Sequence, residues 1–403
     1  MNIILGRNQE LEKFIQNQKV NNTHSHQGDE KFFADCTYNL DAILKNSYVN
    51  WCWEDFGNSS ESRRQYLDKV RYRNSFRSLE KSLNFLYDLP ERITEENWDM
   101  FNQTIENSNT VFNSFEKLIN ISKYENIILD CYWNPGSNHN RSDLFRPTFR
   151  INIFLNGYNP DFVDQDGNNI RKYIYTKIEN IDCYIEKIKS IIKENKENGC
   201  VALKCASAYE RGLDFESVSK EDAQRALDLS PQELTTKDIE NFQNYVFYKL
   251  CEIAACEDLP FQIHTGLGKL EKSNALQLRS VIADNPKTKF VLFHVSVPWV
   301  DDVLALSHNF TNVYLDLCWV SILSPTITMQ IVRELLEMAN IDRICWGCDT
   351  WTFEESFGAV QQFKENLLNV LNDKMENGYY SLEDSKTIIE AILYKNAKKL
   401  YKL

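Results

Sequence analysis

The sequence predicts an α/β protein, a (β/α)8 TIM barrel with a helical insertion after its first strand. Short apolar segments alternate with helical segments after about residue 122, and apolar strands of this kind are typical of a parallel sheet covered by helices. Eight strand candidates are present, as the barrel requires. No G-x-G-x-x-G follows the first of them, so an open dinucleotide-binding sheet, the competing α/β architecture, has little support.

The predicted elements follow one another along the chain. The first strand lies within residues 19–29, and the others are predicted at 126–133, 149–155, 200–206, 260–266, 289–295, 312–319 and 343–349. Helices are predicted at 1–20, 175–198, 231–257, 274–284, 299–308, 325–339, about 354–376 and 382–401. Residues 134–148 and the segment around 207–230 are predicted as loops.

Three parts of the chain differ in pattern. Residues 1–29 are predicted to hold an N-terminal helix and the first barrel strand. Residues 30–122 have helical periodicity, many aromatic and charged residues and no strong strand signal, which predicts the helical insertion. Residues 123–403 supply the remainder of the barrel.

Composition excludes several classes of function. The net charge of −13 argues against a nucleic-acid-binding protein, which usually has a basic face. No uninterrupted apolar run of about 18 residues is present, so no membrane interaction through a spanning helix is expected. The amino-terminal segment has no signal-peptide pattern, and eleven scattered cysteines indicate reduced thiols, so a cytoplasmic location is expected. A small-molecule substrate is the expected partner, and assembly into homo-oligomers is left open.

Histidines concentrate at the predicted strand ends. The chain has only six, and four of them, His24, His26, His264 and His294, lie where a strand candidate ends. Their spacing fits the barrel, since His294 follows His264 by 30 residues and one β/α unit takes about 31. Lys204 and Asp349 end two further strands, and the active sites of such barrels are built at the carboxyl ends of the strands.

These residue types together indicate a metal site. Residues two apart on a strand point the same way, so His24 and His26 can hold one ion together. Imidazole nitrogens and a carboxylate suit Zn2+ and other first-row metals. Each signal is weak alone: an H-x-H arises by chance, Lys204 would serve as an ion-pair partner, and Asp349 would cap a helix. Their conjunction at strand ends is what predicts the site.

The pair Cys345 and Cys348 forms a C-x-x-C motif just before Asp349. Residues three apart on a strand face opposite sides and lie ~10 Å apart, which is too far for one metal ion or a disulfide. The motif is therefore interpreted as accidental, and the aspartate is taken as the functional residue.

Four segments resemble the amidohydrolase superfamily of metal-dependent (β/α)8 barrels, in its amidohydrolase-related branch, which includes uronate-isomerase-like proteins. These segments are "VALKCASAYERGLDF" (201–215), "PFQIHTGLG" (260–268), residues 291–325 and "DRICWGCDTWTFEESFGA" (342–359). Two positions depart from the family's pattern: Asn22 stands where an aspartate is usual, and Cys348 where a serine is usual. Uronate isomerases also resemble this chain in having a helical insertion after the first strand.

The resemblance implies a role for each strand-end residue. It implies that the metal, most readily Zn2+, is held as one or two ions by a ligand set of His24, His26, Lys204, His264, His294 and Asp349. Lys204 would be carboxylated and bridge two ions in a binuclear site. Asp349 and His294 would be catalytic, the first as general base and the second by polarising a carbonyl or holding the second metal.

Four further residues are expected to bind substrate. Arg211 and Tyr209 follow Lys204 closely, and an arginine there would hold a substrate carboxylate. An ion pair with Asp214 is an equally good interpretation of Arg211. Trp319 and Trp351 lie at or just after strand ends and would wall the pocket or pack loops.

The favoured interpretation is a metal-dependent hydrolase of the amidohydrolase type. Metal-activated water would attack an amide, ester or lactone carbonyl of a small substrate, one bearing a carboxylate if Arg211 binds it. The alternatives are a uronate-isomerase-like aldose–ketose isomerase, a decarboxylase on the same barrel, and a non-catalytic binding barrel.

Overall fold

The β-strands lie in one sheet whose spatial order follows the sequence. The structure, a computed structural model, describes residues 8–52, 55–90, 92–108, 111–175, 178 and 180–403. In these ranges the sheet has eight strands in the order β1 to β8. They are β1 Val20–Ser25, β2 Tyr124–Leu129, β3 Phe145–Arg150, β4 Ala202–Cys205, β5 Phe261–Ile263, β6 Phe290–Phe293, β7 Val313–Asp316 and β8 Ile344–Cys345. The predicted (β/α)8 class is confirmed.

Helices fill the intervals between the strands. They are α1 Gln9–Asn17, α2 Leu40–Lys45, α3 Ser60–Val70, α4 Asn74–Tyr87, α5 Trp98–Ser108, α6 Val111–Ser122, α7 Ile181–Glu197, α8 Lys220–Asp228, α9 Thr236–Cys256, α10 Arg279–Asp284, α11 Val300–Asn309, α12 Val320–Leu323, α13 Pro325–Met338, α14 Phe353–Glu376, α15 Leu382–Glu390 and α16 Asn396–Tyr401. Helices α2–α6 fall in the stretch predicted as the insertion.

The chain divides into two compact units. The first comprises Met1–Ile127, Leu317–Glu337 and Cys345–Ala397, and the second Ile128–Asp316, Met338–Ile344 and Lys398–Leu403. In the first unit the apolar faces of α2–α5 form a hydrophobic cluster that includes Leu67, Leu83, Trp98 and Phe101. Burial of such faces is the main stabilising term for amphipathic helices.

In the second unit the strands β3–β7 pair in parallel. The register places Arg150 beside Lys204, and Lys204 beside Gln262. The same ladder continues from β5 through β6 to β7. Strands β4, β5 and β6 are buried along their whole length, as expected for parallel strands.

Two sequence-based predictions of elements were wrong. The strand predicted at 149–155 is β3 Phe145–Arg150, and the apolar run after it forms a 3-10 helix, Asn152–Asn156. A short buried run is equally compatible with strand and helical turn, so hydrophobicity could not decide. The predicted loop around 207–230 contains α8, which begins after the N-cap Ser219. Of the helix predicted at 1–20, residues 1–7 lie outside the described residues, and residues 176, 177 and 179 of the helix predicted at 175–198 do too.

None of the described helices is both long and apolar enough to span a membrane.

Candidate metal centre

His24, His26 and Asp349 come together in the first unit. The Asp349 Oδ1 atom lies 3.3 Å from His24 Nε2 and 3.1 Å from His26 Nε2. The three side chains offer one ligand atom each, and these atoms all lie within 4.8 Å of one another. All three residues are buried. The predicted pairing of the two histidines with the aspartate is thus present in the geometry.

Backbone pairing between β1 and the segment after β8 builds this triad. The Asp349 amide donates to the His24 carbonyl at 2.8 Å, and the His26 amide donates to the Thr350 carbonyl at 2.9 Å. Close approach is possible because position 347 is glycine: a Cβ there would lie 2.6 Å from the His24 nitrogen. Asp349 itself has φ of 59°, a conformation that costs a non-glycine residue free energy and is concentrated at functional sites.

The electrostatics of the triad favour an ionised aspartate. Burial alone would raise the pKa of Asp349, but the hydrogen bonds and charges of His24 and His26 outweigh burial and hold that pKa well below its usual range. The carboxylate therefore offers negative charge to a cation as well as a ligand atom.

Tyr48 supplies a contact that sequence reasoning missed. Its hydroxyl donates to Asp349 Oδ2 at 2.7 Å, so the two carboxylate oxygens have different partners. Tyr48 begins the 3-10 helix Tyr48–Cys52, within the stretch predicted as the insertion. No spacing signal marks this tyrosine, because the insertion has no strand period to align it with the barrel.

Aromatic rings surround Tyr48. Its ring centroid lies 4.8 Å from that of Trp51, 5.6 Å from Trp319 and 5.3 Å from Trp351. Trp351 also stacks on His26 at 5.0 Å. The sequence-predicted tryptophans Trp319 and Trp351 thus lie beside the triad, and Trp319, like Asp349, has a positive φ, of 69°. Their predicted contact with substrate stays a prediction.

Asn22 and Cys348, the two residues that depart from the family's pattern, contact each other. The Asn22 amide nitrogen donates to Cys348 Sγ at 3.0 Å, and Asn22 Oδ1 accepts from the Cys348 backbone amide at 2.9 Å. Thr350 Oγ1 also lies 3.1 Å from the sulfur. Cys348 is buried, and burial raises the pKa of its thiol. Its role is to join β1 to the segment carrying Asp349.

In the second unit, His264 and His294 contact each other. His294 Nε2 lies 2.9 Å from His264 Nδ1, and the Tyr209 hydroxyl lies 3.3 Å from the same nitrogen. His264 Nε2 lies 2.8 Å from the Leu267 carbonyl oxygen. Because a carbonyl only accepts, His264 Nε2 carries the proton and Nδ1 is the acceptor. Both ring nitrogens of His264 are therefore engaged within this unit.

Backbone conformation at His294 is unusual. His294, Val295 and Ser296 have φ of 63°, 46° and 53° in succession. A β-branched residue at positive φ is a strong outlier, and such outliers are found where surrounding structure imposes them at functional sites. The strand-six histidine is thus presented by a strained turn.

Lys204 is 2 % exposed and is the penultimate residue of β4. Its Nζ lies 3.8 Å from the centroid of the Phe293 ring, a cation–π distance. The predicted carboxylation and the predicted role as a ligand stay predictions.

Arg211 contacts protein groups rather than open space. Its guanidinium donates to Gln243, Asn244 and Asp214 and lies over the Phe215 ring, 4.1 Å from its centroid. The alternative interpretation, an ion pair with Asp214, is therefore present, and the predicted carboxylate-binding role stays a prediction. Another arginine, Arg150, ends β3.

Arg150 was missed by sequence reasoning because its strand was misplaced. It pairs with Asp130 at 2.6 Å and with Asp166 at 2.6 Å. Asp130 and Arg150 are buried, so each ionised group has its charge compensated. This network braces the ends of β2 and β3.

The triad in the first unit fits a divalent metal ion. Two imidazole nitrogens and one carboxylate oxygen within reach of one another are a donor set suited to Zn2+ and to other first-row ions. Three protein ligands also leave coordination positions for water and substrate, as catalytic sites do.

Comparison with known proteins agrees with the predicted fold and with the family resemblance. Residues 213–403 match the sequence model of a family described as Amidohydrolase. A curated relative, protein fluG of Emericella nidulans, is 32 % identical over 222 residues, covering 50 % of this chain and 26 % of that protein. The chain thus spans about a quarter of the length of that relative.

Solved structures share the fold at low identity. A putative metal-dependent hydrolase from Lactobacillus casei has a TM-score of 0.72 and 17 % identity, with 98 % of each chain covered. A uronate isomerase from Thermotoga maritima has a TM-score of 0.76 and 16 % identity, covering 99 % of this chain and 100 % of that one. A glucuronate isomerase from Caulobacter crescentus has a TM-score of 0.77 and 13 % identity, covering 98 % and 93 %.

The match over residues 213–403 agrees with the resemblance to the amidohydrolase superfamily, and the solved structures agree with the (β/α)8 fold.

Proposed function

We propose that this protein is a metal-dependent hydrolase in which His24, His26 and Asp349 hold a divalent ion, with Zn2+ the best match. The observation that carries the proposal is the convergence of two imidazole Nε2 atoms on one carboxylate oxygen, at 3.3 Å and 3.1 Å. When bound, such an ion lowers the pKa of a coordinated water toward neutrality and polarises a substrate carbonyl. The proposed substrate is a small molecule with an amide, ester or lactone carbonyl.

Each residue of the triad has a proposed task. His24 and His26 orient toward the ion because both leave the same side of β1. Asp349 is the proton acceptor of the reaction, and Tyr48 fixes its carboxylate by donating to Oδ2 at 2.7 Å. A fixed carboxylate keeps the acceptor within reach of the proton it takes, which general base catalysis requires.

We also propose that His264, His294 and Lys204 act in the reaction. His294 would polarise the carbonyl or hold a second ion, and Lys204 would join the ligand set if CO2 converts its amine to a carbamate. The bond from His294 Nε2 to His264 Nδ1, 2.9 Å long, supports a joint role of these histidines. Tyr209 lies against the same ring and is proposed to contact substrate, as are Trp319 and Trp351.

Metal analysis of the purified full chain tests the metal site. We expect at least one equivalent of bound transition metal in the wild type and none in a His24→Ala/His26→Ala variant. Turnover is then measured on a panel of amides, esters and lactones, and Asp349→Asn is expected to remove it. A wild-type protein that binds no transition metal would refute the proposal.

A second candidate is an aldose–ketose isomerase acting on hexuronates. It is favoured by the uronate and glucuronate isomerases from Thermotoga maritima and Caulobacter crescentus, whose chains align with nearly all of this one. Hexuronates therefore belong in the same panel, with ketose formation as the readout, and release of CO2 from carboxylated substrates tests for a decarboxylase. Bound metal without any turnover that depends on Asp349 would instead indicate a binding barrel.

A further inference from the structure

We propose that Glu355 is a positioning residue of the metal centre, which holds the Tyr48 backbone so that the Tyr48 hydroxyl stays on Asp349. The inference rests on the proposed function, because it assumes that Asp349 is a metal ligand. It adds a residue of α14 to a site otherwise built from β1, the segment after β8 and the 3-10 helix at Tyr48.

The local sequence predicts a different task for Glu355. Thr352 is the N-cap of α14 and Glu355 is three residues later, the pattern of a capping box. In a capping box the glutamate carboxylate reaches back to the amide of the N-cap residue. Here the Thr352 hydroxyl accepts from the Glu355 amide at 3.4 Å, but Glu355 Oε1 accepts from the Tyr48 amide at 2.7 Å.

This arrangement has a free-energy cost. Glu355 is 2 % exposed, and its Oε2 atom has no hydrogen-bond partner among the described residues. Burial raises the pKa of Glu355 to about 8, against the opposing hydrogen bond from the Tyr48 amide. A buried carboxyl group with an unsatisfied oxygen is destabilising. The Tyr48 amide satisfies the other carboxylate oxygen.

Tyr48 transmits this contact to the metal centre. Its amide is bonded to Glu355 and its hydroxyl to Asp349, each at 2.7 Å. The residue is buried, and its ring packs against three tryptophan rings. With both ends bonded and the ring packed, a shift of the Tyr48 backbone moves the hydroxyl away from Asp349 Oδ2.

The neighbouring Glu354 provides a matched control. It is also buried and also contacts the predicted insertion, but through the hydroxyls of Tyr38, at 2.6 Å, and Tyr87. Neither tyrosine has a recorded contact with Asp349. Glu354 therefore anchors another part of the same stretch and separates a general effect on packing from an effect on the metal centre.

The test measures Zn2+ affinity of the full chain by competition with a chromophoric chelator, together with the absorption spectrum of the Co2+-loaded protein. We expect Tyr48→Phe and Glu355→Leu each to weaken affinity ~10-fold, as loss of a group that orients a metal ligand does. Glu355→Gln keeps an acceptor for the Tyr48 amide and should stay within about 2-fold of wild type. Glu354→Gln should leave both affinity and spectrum unchanged.

A double variant distinguishes positioning from a separate effect. If Glu355 acts through Tyr48, the Tyr48→Phe/Glu355→Leu protein should bind Zn2+ no more weakly than Tyr48→Phe alone, because the two changes remove one shared contact. Losses that multiply to ~100-fold would overturn the inference, as would wild-type affinity in Glu355→Leu. If Glu355→Leu does not fold, Glu355→Asp takes its place, with a loss of at least about 3-fold expected and wild-type affinity overturning the inference. Absence of Zn2+ binding in the wild type would refute the proposed function instead.

Discussion

The histidine pair of the first unit and that of the second have similar positions in the sequence and different surroundings. His24 and His26 turn their Nε2 atoms to one carboxylate oxygen, whereas His264 and His294 bond to each other and to a carbonyl. The first arrangement places negative charge where a cation would be held, and the second is a hydrogen bond between two imidazole rings. A carboxylate oxygen close to both imidazoles therefore distinguishes the first pair from the second.

The largest expected effect is on Zn2+ affinity, and it tests the difference between the two histidine pairs. We expect His26→Ala to weaken Zn2+ binding on the order of 1,000-fold, more than the 10–100-fold typical of residues that only orient ligands. His264→Ala should weaken it less than about 10-fold, because both of its ring nitrogens are already bonded within its own unit. Competition with a chromophoric chelator measures both.

His308→Ala is the control, since His308 is exposed on α11. Equal losses of Zn2+ affinity in His26→Ala and His264→Ala would contradict the difference between the two pairs. They would favour the ligand set implied by the resemblance.

A smaller effect concerns two buried lysines, Lys364 in the first unit and Lys204 in the second. Lys364 is fully buried, with Nζ 3.3 Å from the Gln16 carbonyl oxygen, and burial lowers its pKa to about 8. Because the unfolded chain keeps this proton up to higher pH, stability should rise as pH increases from 8 toward 10. The free energy of unfolding of wild type relative to Lys364→Met should therefore rise by about 2 kcal/mol over that range.

Urea unfolding at several pH values measures this difference. Lys399→Met, at a side chain 82 % exposed, should show no such change with pH. A difference between wild type and Lys364→Met that is constant with pH would contradict the prediction. Lys204 is the contrasting case, because its amine lies over an aromatic ring.

The smallest expected effect is on the free energy of unfolding, through the contact between β1 and the segment after β8. Asn22→Asp replaces the amide donor to Cys348 Sγ with a buried carboxylate and should cost about 1–2 kcal/mol of unfolding free energy. Adding Cys348→Ser supplies a hydroxyl donor to that carboxylate and should recover about 1 kcal/mol. Thermal or urea unfolding of the two single variants and the double variant measures the coupling, and strictly additive costs would show that the pair is independent.

The repeating parts of the fold were predictable from the sequence, and the irregular parts were not. All eight predicted strands overlap observed ones, because buried parallel strands are continuous apolar runs between helical segments. The strand at Phe145–Arg150 was displaced because an equally apolar run, ending at Leu155, follows it as a helical turn. Helix α8 was missed although Ser219 and the acidic residues after it are a start signal.

The triad of His24, His26 and Asp349 was predictable from the strand pattern, but the residues that hold the triad in place were not. The alternation of side chains along a strand placed His24 and His26 on one side, and position after β8 identified Asp349. Tyr48 and Glu355 could not be found this way, because their contacts depend on tertiary packing. In the case of Glu355 the local pattern pointed to a helix cap instead. The partners of Arg211 on α9, Gln243 and Asn244, could not be found from the sequence either, because they lie far along the chain.

One hydrogen bond, from Tyr48 to Asp349, joins residues 301 positions apart in sequence. A carboxylate that accepts a hydrogen bond is less basic than one that does not, so the proton affinity of Asp349 is set partly by a residue outside the strands. Mutations near Tyr48 can therefore retune the chemistry while β1 and β8 stay unchanged.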